Sequence, residues 1–355
     1  MKKFMKFICT LLLTGTMCLC LLVISSRIFV PKWTNHNMNM MTFIIKGLYA
    51  EKENSIDVLI SGNSDTYRGI SPMTMYHEYG IASYSYVSSG QRMWHAYAMV
   101  KDALRKQKPK MLLFNVDGVF STSQASVGNN NKVYDNMELS SVKIDAIMDK
   151  HYKASLKKRL SHILPIFSYH DRYNELTGED FKYIFYNFYY PLKGMDMVAY
   201  RVPYTGDKNY MKDKGETIEI PKDNLEYLDK IKELCDKNDI TFVLFHVPTS
   251  DSANYAKYKA IKEYADARDL DYLEMNLFND EIGIDWSTDT SDGGDHLNLF
   301  GAEKTSSYLG KYLTENYSLP DRRNDTSYSN WNDDYEYYLK QREIEINDAI
   351  SEGKY

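Results

Sequence analysis

The first pattern in the chain is an uncharged run. Lys2, Lys3 and Lys6 precede the stretch Phe7–Ser26, which carries no charge over 20 residues. At the rise of an α-helix that length matches the hydrocarbon thickness of a bilayer, so one membrane-crossing helix is predicted. The lysines before it put the short N-terminus in the cytoplasm and everything after Arg27 outside the cell. A cleaved signal peptide is the competing reading. However, no small-x-small site stands near Ser25–Ser26, and Cys18 and Cys20 follow Met17 and Leu19 rather than a small residue. An uncleaved anchor over residues 1–30 is therefore expected, with residues 31–55 as a juxtamembrane connector.

From residue 56 short apolar runs alternate with helical spacing. Strands are predicted at Ile56–Ser61, Ile81–Val87 and Met111–Val116. Helices fall between them at Pro72–Tyr79 and Gln91–Gln107, the latter marked by Trp94, Tyr97, Val100 and Leu104. Strands and helices alternating at this pitch imply parallel βαβ units. Residues 119–220 break the rhythm with a polar loop (Gly128-Asn129-Asn130-Asn131), two predicted helices and the aromatic run Phe181–Tyr190. They read as an insertion that packs beside the sheet, its aromatic run as core, with the wall of a substrate groove as the alternative. Alternation returns at Pro221. A helix carries Leu225, Leu228, Ile231 and Leu234, with Asp223 as its N-cap. Strand Thr241–Val247, a helix marked by Tyr255, Tyr258, Ile261 and Ala265, and strand Tyr272–Met275 follow. A helix over Gly301–Tyr317 turns Tyr308, Leu309, Tyr312 and Leu313 inward. The expected fold is an α/β, three-layer doubly wound parallel sheet over residues 56–319, with a helical insertion and an N-terminal transmembrane helix. A polar tail, residues 320–355, carries a helix near Tyr335–Ile350.

Composition narrows the function. A net charge of −6 excludes a nucleic-acid binder that works by phosphate neutralisation. Of four cysteines only Cys235 lies outside the N-terminal run, so the body holds no internal disulfide and no zinc-ligand spacing. Cys235 reads as a packed core residue. The 31 tyrosines suit a wet, amphipathic surface or a carbohydrate-facing groove, although a plain compositional bias accounts for them as well. No cofactor is expected, and the acid-rich loop before His296 lacks the ligand spacing of a calcium loop, so no metal is expected either.

The candidate chemistry lies at two strand ends. The run Asp57–Gly69 (DVLISGNSDTYRG) presents Ser64 in a small, polar turn after an apolar strand; far downstream, DGGDHLNLFGAEK places His296 just before a helix. Loops at the carboxyl ends of a doubly wound sheet converge on one edge. A serine needs a base within reach, and the base needs a third group to fix its tautomer. His296 is the candidate base, with Asp292 or Asp295 as the orienting acid. Asp292 is favoured, because Gly293 and Gly294 let the loop bulge. The backbone N–H groups of Ser64 and Gly90 and the Asn63 side chain are candidate oxyanion donors. Arg68 is a candidate for an anionic substrate group, with a surface ion pair as the alternative. His246 reads as a core or strand-edge residue, and His77, His95, His162 and His170 have no partners at a diagnostic spacing.

These blocks resemble those of the SGNH/GDSL hydrolase superfamily. Gly62-Asn63-Ser64 resembles its first block, Gly90 its second-block glycine, and Asp292 to His296 its final Asp and His. The resemblance implies an SGNH-hydrolase or flavodoxin-like sheet and ester chemistry at Ser64. With the anchor, the chain looks most similar to the branch holding the D-alanyl-lipoteichoic acid biosynthesis protein and alginate or peptidoglycan O-acetyltransferases. That branch implies a cell-envelope glycopolymer or acylated carbohydrate as substrate, and a multipass membrane O-acyltransferase as partner. Two departures stand out. Asp117-Gly118 replaces the family's third-block Asn, and Gly293 occupies the position of its usual Asp. Asp117 is expected to cap a helix or bind a neighbour rather than face an oxyanion. A plain secreted esterase or deacetylase, and an inactive polymer-binding protein of the same fold, are the alternatives.

Overall fold

Five short apolar runs form one parallel sheet: β1 (Val58–Ser61), β2 (Ser83–Ser85), β3 (Met111–Asn115), β4 (Thr241–His246) and β5 (Asp271–Glu274). The computed structural model describes the chain except residues 35, 36, 39 and 185. The strand order is β2-β1-β3-β4-β5, with Ser61 opposite Phe114 and Asn115 opposite Phe245. This is a doubly wound α/β fold. Its order reverses between β1 and β3, so a crevice opens at the carboxyl ends of those two strands.

Alternate residues of each strand feed two cores. Leu59, Leu112, Phe114, Phe242 and Leu244 face one way, with Met99 of α5 (Met93–Ala103), Ile231 and Cys235 of α6 (Lys222–Lys237), and Ile261 of α7 (Tyr255–Asp266) in the same cluster. Val58, Ile60, Leu113, Val243 and Phe245 face the other way. There they share a cluster with Met75 of α4 (Pro72–Tyr79) and with Leu309 and Leu313 of α8 (Leu299–Asn316). Both faces are covered, which is why the strands read as continuous apolar runs. Tyr308 and Tyr312 of α8 are only half-buried.

Four local expectations need correction. Asp223 does not cap α6: Pro221 occupies the N-cap, and Asp223 sits in the first turn, where its charge favours the helix dipole. The supposed connector contains α2 (Met40–Ala50), whose Phe43, Ile44, Ile45 and Leu48 are buried. It packs beside the β2 edge, where Tyr84 donates to the Ile44 carbonyl at 2.8 Å. Residues 119–220 hold five short α-helices among the described residues rather than two. Three of them start at Ser126, Ser140 and Ser155, side chains that accept a backbone N–H as N-caps, and a fourth at Thr177, whose own N–H donates to Asp180 at 3.0 Å. Finally, the tail is not peripheral. Its helix α9 (Ser329–Ser351) buries Trp331 and Tyr338 and packs Trp331 against Tyr76 with ring centroids 5.2 Å apart. The buried Lys193 fixes it, bonded to Glu51 at 2.7 Å and to Asp334 at 2.8 Å.

At the other end, α1 (Lys2–Phe29) leaves its apolar stretch unburied. It is long and apolar enough to cross a membrane, consistent with a single-pass anchor or a signal sequence.

Candidate active site

Ser64 opens a six-residue helix, α3 (Ser64–Gly69), directly after β1. The turn is tight. A Cβ at Gly62 would lie 2.8 Å from Asn115 Cβ, and Asn115 itself donates to Thr66 Oγ1 at 2.9 Å. That bond ties the Ser64 turn to the end of β3, on the rim of the switch-point crevice. Ser64 is half-buried and its hydroxyl interacts with the Tyr67 phenol. Among the described residues it makes no hydrogen bond to His296.

His296 is held by its own loop. Gly293 and Gly294 both take positive φ, 83° and 108°, a conformation that other residues adopt only under strain. The chain thereby folds back so that Asp292 Oδ1 accepts the His296 N–H at 2.8 Å, while Oδ2 lies 2.6 Å from Nδ1. Asp295 approaches the same nitrogen at only 3.3 Å. Nε2 is left pointing toward the Ser64 turn, 3.9 Å from Oδ1 of Asp65. Burial pushes the imidazole pKa down, but the Asp292 bond and the carboxylates of Asp65 and Asp295 outweigh it and raise it.

Behind this pair lies a buried polar chain that sequence reasoning did not find. Asp65, 4% exposed, has one oxygen without a hydrogen-bond partner. Its pKa is raised by burial and by Asp117, with His296 opposing. Asp117 accepts from Asn63 and from Ser252 and lies 3.8 Å from His246 Nε2. Burial opposes its ionisation, but His246 and Ser252 hold it below the ordinary carboxylate range. His246 Nδ1 meets Glu274 at 2.9 Å. Burial alone would lower this imidazole, yet Glu274 and Asp117 lift it to about 10. Glu274, His246, Asp117 and Asp65 thus form a row in which proton and charge alternate. Asp117 binds neighbours, and it also takes an N–H of the candidate oxyanion donor Asn63. His246 is buried at a strand end as read, but as a charged bridge.

The other candidates fall as follows. Gly90 lies in the turn after β2 with φ 57°, its carbonyl accepting from Arg92 at 3.1 Å. Arg68 pairs with Asp196 at 2.8 Å, the ion-pair alternative for that residue. His95 and His162 have structural partners: Asn130 at 2.9 Å, and Asp135 at 2.6 Å with Tyr152 at 2.7 Å. Beside the turn runs a groove of about 620 Å³ lined by Tyr67, Asp196, Tyr200, Tyr337 and Glu345. Burial and Asp196 push Glu345 up to about 7. One atom each from Asp65, Asp295 and His296 lie within 4.8 Å of one another, so this group has the reach to share a cation.

The class these features define is a doubly wound α/β domain with a His–carboxylate pair at its switch point. No protein-family model and no curated protein matches the sequence. Among solved structures, 12 chains match. One is a crystal structure from Bacteroides fragilis, provisionally described as an acylhydrolase. It is 10% identical, covers 78% of this chain and 96% of its own, and superposes with a TM-score of 0.37.

Proposed function

We propose that this chain is a membrane-anchored serine esterase or O-acyltransferase of the SGNH type, its domain outside the cell, acting on acylated carbohydrate of the cell envelope. Ser64 Oγ turns from Tyr67 toward His296 and attacks an acyl carbonyl, while Nε2 takes its proton. Asp292 keeps the proton on Nδ1 and stabilises the imidazolium. The N–H groups of Ser64 and Gly90, with the remaining N–H of Asn63, receive the oxyanion. The imidazolium then protonates the leaving alkoxide. The acyl group passes from Ser64 to a sugar hydroxyl in the groove, or to water. A multipass acyltransferase supplying the acyl group is the partner this scheme calls for.

What supports the reading is the pair of hydrogen bonds between Asp292 and His296, with Nε2 left facing the turn that carries Ser64. The competing reading, a polymer-binding domain without turnover, draws on Asp117, which stands where the resembled family has Asn and takes an N–H of Asn63. Turnover of p-nitrophenyl acetate by the full chain in neutral detergent separates the two. The proposal expects hydrolysis that is lost in Ser64→Ala, and a rate that rises when a soluble oligosaccharide acceptor is added. Equal rates in wild type and Ser64→Ala would leave the binding reading standing.

A further inference from the structure

A second site lies at the foot of α1, on the opposite account of charge. A cavity of about 280 Å³ is lined by Val23, Arg27, Lys32, Lys46, Lys143 and Leu139, among others. Four of its lining residues are cations. Two of the three anions nearest them are tied up within the fold, and the third, Glu138, lies in the same lining. Asp135 is bonded to His162 and Tyr169, Asp180 to Lys32, and Glu138 lies half-exposed within 3.9 Å of Arg105.

Two of the cations have explanations within the fold. Lys32 is fully buried and donates to the carbonyls of Arg27, Ile28 and Val30, closing the end of α1. Arg27 donates to the carbonyls of Tyr183 and Tyr186. Lys46 and Lys143 do not. Lys143 is 3% exposed and donates only to the Met137 carbonyl at 3.1 Å. Lys46, half-buried, reaches one carbonyl, Asn136 at 3.4 Å, and sits over the Phe188 ring. Among the described residues neither has a carboxylate within ion-pair distance. Burying ammonium groups without a counter-charge is costly, and each retains N–H groups with no acceptor. Consistent with that, burial and the surrounding cations push Lys46 down to about 7, and burial pushes Lys143 to about 8.

Depth gives the missing anion a source. The uncharged run ends at Ser26, so a bilayer spanned by it has its phosphate plane near Arg27 to Lys32, level with the cavity. We infer that this cavity binds a phosphodiester anion, the headgroup of an anionic phospholipid held by Lys46 and Lys143 beside α1. The apolar lining from Val23 and Leu139 suits the glycerol and first acyl carbons. The site is independent of Ser64 and of the ester reading.

The test uses the full chain in neutral maltoside detergent. Native mass spectrometry and thermal shift are read against short-chain phosphatidylglycerol, short-chain phosphatidylcholine and glycerol phosphate. The expected result is one saturable phosphatidylglycerol per chain, bound at least tenfold more tightly than phosphatidylcholine. Lys46→Gln should lose that margin, and Lys46→Arg should keep it. Lys2→Gln/Lys3→Gln/Lys6→Gln, altered at the far end of α1, should keep it too. Because Lys143→Gln risks misfolding, the half-buried Lys46 pair of variants carries the decision. Equal binding of the two lipids, or an unchanged margin in Lys46→Gln, would overturn the site. Glycerol phosphate binding as tightly as phosphatidylglycerol would overturn its assignment to lipid.

Discussion

Alanine placed at each of the two loop glycines provides an internal comparison. At Gly293, φ is 83° and nothing lies within 4 Å of an added Cβ, so only backbone strain is introduced. A left-handed non-glycine residue costs about 1–2 kcal/mol. At Gly294, φ is 108° and the Cβ would lie 2.1 Å from Ser250 Oγ and 2.6 Å from Tyr204 Cδ2. Overpacking of that kind adds roughly 1–3 kcal/mol. The loop is also pinned there. Gly294 N donates to Thr290 Oγ1 at 2.7 Å, and the Gly294 carbonyl accepts from Ser250 N at 2.9 Å. Gly294→Ala is therefore expected to cost about 2–5 kcal/mol and to displace Asp292 from His296. Gly293→Ala should cost about 1–2 kcal/mol. Equilibrium denaturant unfolding of the full chain in detergent measures both, with ester turnover as the second readout. Equal losses at the two positions, or full turnover in Gly294→Ala, would refute the claim that this loop geometry holds the pair together.

Asp292→Asn removes the charge that raises the His296 pKa, so the acid limb of the kcat/KM profile should move to lower pH, with turnover down by roughly 10³–10⁴; Asp295→Asn, 3.3 Å from Nδ1, should cost far less. His246 is raised to about 10, so its contribution to stability is complete below about 6.5 and is lost as pH climbs through about 10. His246→Leu should abolish that alkaline loss, and by stranding Asp117 and Glu274 it should cost about 3–5 kcal/mol at neutral pH; unfolding curves from pH 6 to 11 report both. Trp331→Ala, which empties the seat of α9 between Tyr76 and Lys193, should cost about 3–5 kcal/mol. Limited proteolysis should then cut within Ser329–Ser351, and an intact, equally stable variant would deny α9 its place in the core.

The strands were legible because a sheet buried on both faces needs unbroken apolar runs, and Pro and Gly punctuate them here, as at Pro109 and Gly62. The contact of Asp292 with His296 was legible for a related reason: outside a helix, the paired glycines let the loop take positive φ twice and fold Asp292 back onto His296. What was not legible is long-range. His246 and Glu274 are 28 residues apart, and Asp117 and Ser252 135 apart, so no local spacing marks the row behind the site. Helix α2 was hidden because MMTFIIKGLYA is a short run with apolar residues on nearly every face, which periodicity alone does not separate from a strand or a buried connector. The insertion helices are too short for periodicity, and their signal was in the Ser and Thr caps. The tail looked polar because α9 buries only one narrow stripe.

The most direct measurement is the site of covalent capture by a fluorophosphonate, mapped by peptide mass spectrometry on the full chain in detergent. One adduct is expected on Ser64, abolished in Ser64→Ala and reduced at least a hundredfold in His296→Ala. An unmodified Ser64 in folded protein, or labelling that persists without His296, would contradict it.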